Sequence, residues 1–221
     1  MSATPATSAP STRTREKGKF APAPIVLATT PIGFVVLIAI SILAVELSGI
    51  PELSAASSEQ LGAIPLLLGV RGLVFLLAFG WGAAGIVLLA SRLRPVGGST
   101  ATLATLALAA AGLSVANAVA QAVIPVATAS FTADRYGDTV AYDVYWVTTA
   151  LATWLGVVAT AFAALAVRQA GIRPTAMVVI AAICVAYVVA DATTRGGIPP
   201  FGIMAVWVAL GVLLRSSRVP A

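Results

Sequence analysis

The chain has no histidine, one cysteine and no lysine beyond residue 19, and each shortage removes a chemistry. Without histidine there is no His-ligated haem, no zinc site built on imidazole and no imidazole proton relay. Cys184 alone can neither close an intramolecular disulfide nor supply the paired thiolates of zinc, redox and iron–sulfur centres. Lys17 and Lys19 precede the first apolar run, so no lysine is placed to carry a retinal-type Schiff base within a membrane. Charge is scarce as well: 13 basic and 8 acidic side chains among 221 residues make 10%, against 59% apolar. A soluble domain carries about 25% charged residues to keep its surface solvated. These proportions exclude an ordinary water-soluble globule and place the chain in a bilayer.

A hydrocarbon core about 30 Å thick is crossed by roughly 20 apolar residues at 1.5 Å each. Six charge-free runs meet or approach that length: 20–45, 72–91, 95–133, 144–167, 174–190 and 196–214, holding 26, 20, 39, 24, 17 and 19 residues. The third is too long for one straight span and contains Pro125. The expected architecture is an all-α polytopic transmembrane bundle with helices near 24–46, 66–92, 100–126, 143–168, 174–192 and 199–215, and a loop from Thr128 to Asp143. The last two runs are the shortest of those expected to span, which leaves five crossings open if one of them is re-entrant or interfacial. Residues 1–20 are rich in Ser, Thr, Ala and Pro, cannot bury enough surface to fold, and are expected to form a disordered basic cytoplasmic tail.

Lysine and arginine accumulate in cytoplasmic loops. Six helices with both termini cytoplasmic put Arg13, Arg15, Lys17, Lys19, Arg92, Arg94, Arg168, Arg173, Arg215 and Arg218 inside against Glu16, a balance of +9. The outer segments then hold Glu46, Glu52, Glu59, Asp134, Asp138, Asp143 and Asp191 against Arg71, Arg135 and Arg195, a balance of −4. The net +5 therefore reads as orientation and attraction to anionic lipid rather than to nucleic acid. No cofactor is expected.

Gly80-Trp81-Gly82-Ala83-Ala84-Gly85 matches the dinucleotide pattern letter for letter but lies inside an apolar run whose next charge is Arg92. The fingerprint needs a preceding strand and an acid about 20 residues on; small residues here, with Ala78 and Gly82 spaced by four, instead let helices approach closely. Three polar stripes have helical spacing: Ser114, Asn117 and Gln121; Trp146, Thr149, Thr153, Gly156 and Thr160; and Cys184, Tyr187 and Asp191. Polar groups facing lipid have no partner, so each stripe should face protein, either as interhelical glue or along a ligand path. Glu46, Arg71 and Arg195 are candidate charge partners at the outer side. Arg71 either snorkels from the outer boundary or, if its helix starts near Leu61, lies deeper and needs Glu46 or Asp191 as counter-charge. Asp191 and Arg195 have the spacing of a helical ion pair. Tyr136, Tyr142, Tyr145 and Trp146 form an interfacial aromatic belt.

Arg92-Leu93-Arg94-Pro95 after the second span, Ala170-Gly171-Ile172-Arg173-Pro174 after the fourth and the basic exit after the sixth give a layout from residue 21 on. It resembles small six-helix bacterial membrane proteins of unknown function. The resemblance implies the architecture and a bacterial cytoplasmic membrane, and carries over no site residues. The expected role is a non-catalytic membrane subunit or partner protein, with a membrane protein or a second copy as partner. The alternative is a small transporter or channel-like protein for a polar or cationic solute, using Ser114, Asn117, Gln121, Thr149, Thr153, Tyr187 and Asp191. An enzyme lacks paired carboxylates, a serine–base arrangement and a metal-ligand cluster.

Overall fold

A computed structural model describes residues 22–50, 55–128, 136–194 and 201–215. Among them the chain is all helix: α1 (Pro22–Ser48), α2 (Ser58–Ala63), α3 (Pro65–Leu93), α4 (Gly98–Thr128), α5 (Val140–Gln169), α6 (Pro174–Thr193) and α7 (Phe201–Arg215), with no strand among the described residues. Helices α1, α3, α4, α5 and α6 are long and apolar enough to cross a membrane, and α7 is a shorter apolar helix. The expected basic tail at 1–20 lies outside the described residues.

Turn chemistry sets the boundaries. At the end of α5, Gly171 at φ +78° gives its N–H to the Arg168 carbonyl (2.9 Å), and Ile172 gives its own to Val167 (3.2 Å). This glycine-terminated cap closes the helix, buries Ile172 and hands over to Pro174, which opens α6. Between α3 and α4 a single turn over Arg94–Val96 is followed by Gly97 and Gly98, both at positive φ. Thr139 caps α5 by accepting from Tyr142 N at 3.2 Å, so this helix starts at Val140, inside the expected loop. α4 likewise runs past Pro125 to Thr128: a proline costs the helix one bond, here to the Gln121 carbonyl, without ending it. In α1, Pro31 has no N–H for the Leu27 carbonyl, and the Thr30 hydroxyl donates to that oxygen at 2.8 Å.

The six longer helices close into a ring in the order α1, α3, α4, α5, α6, α7, and α5 also reaches across to α3 and α7. Residue pairs fix the directions. Leu27 meets Gly85 and Gly33 meets Ala78, so α1 and α3 run antiparallel; Gly72 lies against Ala122 at the far end of α4. Close approach at these crossings depends on glycine, since a Cβ at Gly72 would stand 2.5 Å from the Ala122 carbonyl oxygen. The motif Gly80–Gly85 is part of this packing, with Gly82 under Trp207 and Gly85 under Leu27. One apolar core runs the length of the ring, and a smaller one of Ile50, Ala56, Leu61 and Leu68, joined by Tyr142, ties α2 to the starts of α3 and α5. The topology also sorts charge. Arg92, Arg94, Arg168, Arg173 and Arg215 are exposed at one end, and Glu46, Glu59, Asp138 and Asp143 are exposed at the other.

Candidate functional site

The centre of the ring is built around Trp207 of α7, 1% exposed. Its indole fits where two side chains are missing: a Cβ at Gly82 of α3 would collide with the ring, and one at Gly156 of α5 would stand 3.6 Å from it. Phe79 meets the indole edge-on with centroids 6.1 Å apart, and Phe75 stacks on Phe79 at 4.5 Å. The indole N–H, which needs an acceptor once buried, donates to Thr160 Oγ at 2.8 Å. The Thr160 hydroxyl in turn donates to the Gly156 carbonyl at 2.7 Å.

Of the first polar stripe, Ser114 faces this centre. Its hydroxyl donates across the α4–α5 seam to the Ala152 carbonyl at 2.5 Å. Asn117 is half-buried and turns its amide N–H back to the Leu113 carbonyl of its own helix at 2.9 Å. Gln121, 6% exposed, is left with its Oε1 lacking a hydrogen-bond partner among the described residues. The stripe therefore splits into a cross-helix tie, a self-satisfied amide and a buried acceptor.

On α5, Thr149 donates to Tyr145 O at 2.7 Å and Thr153 to Thr149 O at 3.0 Å, both within their own helix. On α6, Cys184 and Asp191 are buried and Tyr187 is half-buried, its ring lying against Gly202 of α7. Asp191, 3% exposed, accepts from Trp154 Nε1 of α5 at 2.6 Å through Oδ2. A carboxylate buried in an apolar bundle requires such donors. Glu46 is exposed and Arg71 half-buried, and among the described residues Arg71 forms no ion pair with Glu46 or Asp191. Arg195, the helical counter-charge expected for Asp191, lies outside the described residues.

The polar groups singled out by spacing thus do not converge on one point. Ser114 joins the Trp207 centre, Asp191 lies on the α5–α6 seam, and Gln121 sits seven residues beyond Ser114 toward the acidic end of α4. Spacing alone missed the two tryptophans that hold the network, Trp154 and Trp207. The signal available was their chemistry, because an indole N–H inside an apolar run has to find an acceptor. Comparison of the chain with known protein families, with curated proteins and with solved structures gave no match.

Proposed function

We propose that the protein is a six-helix integral protein of a bacterial cytoplasmic membrane, with both termini cytoplasmic, acting as a non-catalytic membrane subunit or partner protein. One observation carries the functional part: the middle of the ring is filled by Trp207, and the polar groups beside it are spent on helix-to-helix and helix-to-backbone bonds. Side chains used this way hold a bundle together. The shared end of the five exposed arginines supports the orientation under the positive-inside rule. α7, about 22 Å long, is taken as the sixth crossing because it is walled by α1, α5 and α6 and ends on Arg215.

The lone cysteine makes the orientation readily testable, since Cys184 is 1% exposed and gives a quiet background. In intact cells a membrane-impermeant maleimide should label Asp138→Cys and leave Arg94→Cys and Arg173→Cys unlabelled until the membrane is opened. Labelling of either arginine position from outside reverses the threading. For the role itself, crosslinking in native membranes should trap one reproducible neighbour or a defined oligomer. Recovery of monomer alone at every crosslinker length counts against a partner protein.

One observation favours a second reading, a carrier of a polar or cationic solute. Gln121 Oε1 is a buried acceptor without a partner among the described residues, and Pro125 supplies no N–H to the carbonyl of the same residue. A buried acceptor of this kind on α4 would suit a solute that offers N–H donors.

A further inference from the structure

α4 carries an amide that the fold leaves half used. The helix packs against α3 on one side and α5 on the other, and Ser114 points inward to the α5 backbone. Asn117, three residues on, stands at the edge of the outer face. An amide side chain offers two N–H donors and an acceptor oxygen. Asn117 gives one N–H to the Leu113 carbonyl, and among the described residues its Oδ1 and second N–H make no hydrogen bond.

Depth gives this weight. The midpoint between Arg71 and Arg92 on α3 falls at Trp81 and Gly82. Gly72 lies against Ala122 and the two helices are antiparallel, so the same level on α4 is Gly112. Asn117 is then about 7 Å beyond the middle at 1.5 Å per residue, inside a hydrocarbon half-layer of about 15 Å. Lipid tails offer neither donor nor acceptor at that level, so the spare groups need a protein partner.

The surroundings suit a close neighbour. Ala109, Gly112, Leu113, Ala116, Asn117 and Ala120 fall at i, i+3, i+4, i+7, i+8 and i+11, one face of a helix. The first four of them along the chain are exposed, Leu113 at 55%. Most glycines of the spanning helices admit a neighbour from within the chain; Gly69, Gly80 and Gly112 meet nothing, and of these three Gly112 alone is exposed. Glycine weakens a helix relative to alanine, and no other helix of the chain uses the space that this one opens.

We infer that two copies of the chain pair through this face of α4, side by side about a twofold axis along the membrane normal, with their Asn117 amides bonded to each other. The occupant follows from what Asn117 has left. One donor and one acceptor are complementary to themselves, which is what a twofold contact requires of a residue near its axis. Two copies threaded the same way also bring Gly112 and Ala116 opposite their own counterparts, where small residues let the helices approach closely.

The inference rests on the partner-protein reading above, and names the partner. Photobleaching steps of dye-labelled protein in liposomes, counted over a range of protein-to-lipid ratios, should show a dimer. Asn117→Leu should raise its dissociation constant about tenfold, the effect of losing two interhelical bonds, and Asn117→Gln should keep part of the affinity. Gly112→Ile, whose side chain meets nothing inside the chain, should raise it at least as far, whereas Ile183→Ala on the exposed face of α6 should not. In native membranes Ala116→Cys should form a disulfide with its own copy under mild oxidant, and Ile183→Cys should not. A dimer indifferent to both Asn117→Leu and Gly112→Ile overturns this interface and leaves the partner reading standing. Crosslinks from Ala116→Cys to a different protein overturn the choice of occupant alone. A wild-type monomer at every ratio, with no neighbour trapped from any helix, overturns both.

Discussion

Replacing Trp207 with alanine is expected to lower the unfolding free energy by about 3–5 kcal/mol, the range for emptying a large buried aromatic site. The indole of α7 touches two other helices: it lies over Gly82 and edge-on to Phe79 of α3, and beside Gly156 of α5. Neighbouring helices cannot collapse into the space, because the glycines beneath it have no side chain to move. Trp207→Phe keeps most of the ring and removes only the bond to Thr160, whose hydroxyl still has the Gly156 carbonyl. That change should cost about 1 kcal/mol or less, in line with single polar ties in membrane bundles. Gly82→Val attacks the same contact from the other side and should cost about 1–3 kcal/mol by overpacking. Unfolding in mixed micelles as the fraction of dodecyl sulfate rises gives all three. A Trp207→Ala protein within 1 kcal/mol of wild type would show that α7 is not keyed into the ring by this residue.

The second large effect concerns the buried carboxylate. Asp191→Leu removes the acceptor of the Trp154 N–H, and Trp154→Phe removes a donor from a carboxylate 3% exposed. Each should cost about 1.5–3 kcal/mol, the range for a hydrogen bond to a charged group. Because both act on one bond, the double variant should be destabilised by much less than the two single losses together. Asp191→Asn keeps an amide oxygen for the indole and should lose under about 1 kcal/mol. This last variant also separates the two functional readings. A carrier that needs the negative charge stops moving a cationic solute into proteoliposomes when Asp191 becomes Asn, although the fold survives. A partner protein keeps its crosslinks with the same substitution. Additive losses in the double variant would mean that Trp154 and Asp191 act separately.

Much of the architecture was legible in the order of residues. The six charge-free runs coincide with five helices long enough to span and one shorter apolar helix, because hydropathy is a local property and length is counted along the chain. The segregation of arginines and carboxylates to opposite ends follows from the same alternation. Ala170-Gly171-Ile172-Arg173-Pro174 could be read as a helix stop and start, since only a glycine sits easily at that φ and a proline opens a helix well. The exact ends were less legible. Thr139 begins α5 early by offering its side chain to Tyr142, and Pro125 leaves α4 intact.

The residues themselves determined which segments are helical, which are apolar enough for a bilayer and which end collects positive charge, because all three depend on neighbours within a few turns. Tertiary structure alone decided that Trp154 meets Asp191 across 37 positions and Trp207 meets Thr160 across 47. It also decided that Ser114 ties two helices while Asn117 serves its own. Periodicity fixes the face of a helix a side chain occupies. It does not fix how far that helix is rotated or slid against its neighbour, and a hydrogen bond near 2.8 Å depends on both.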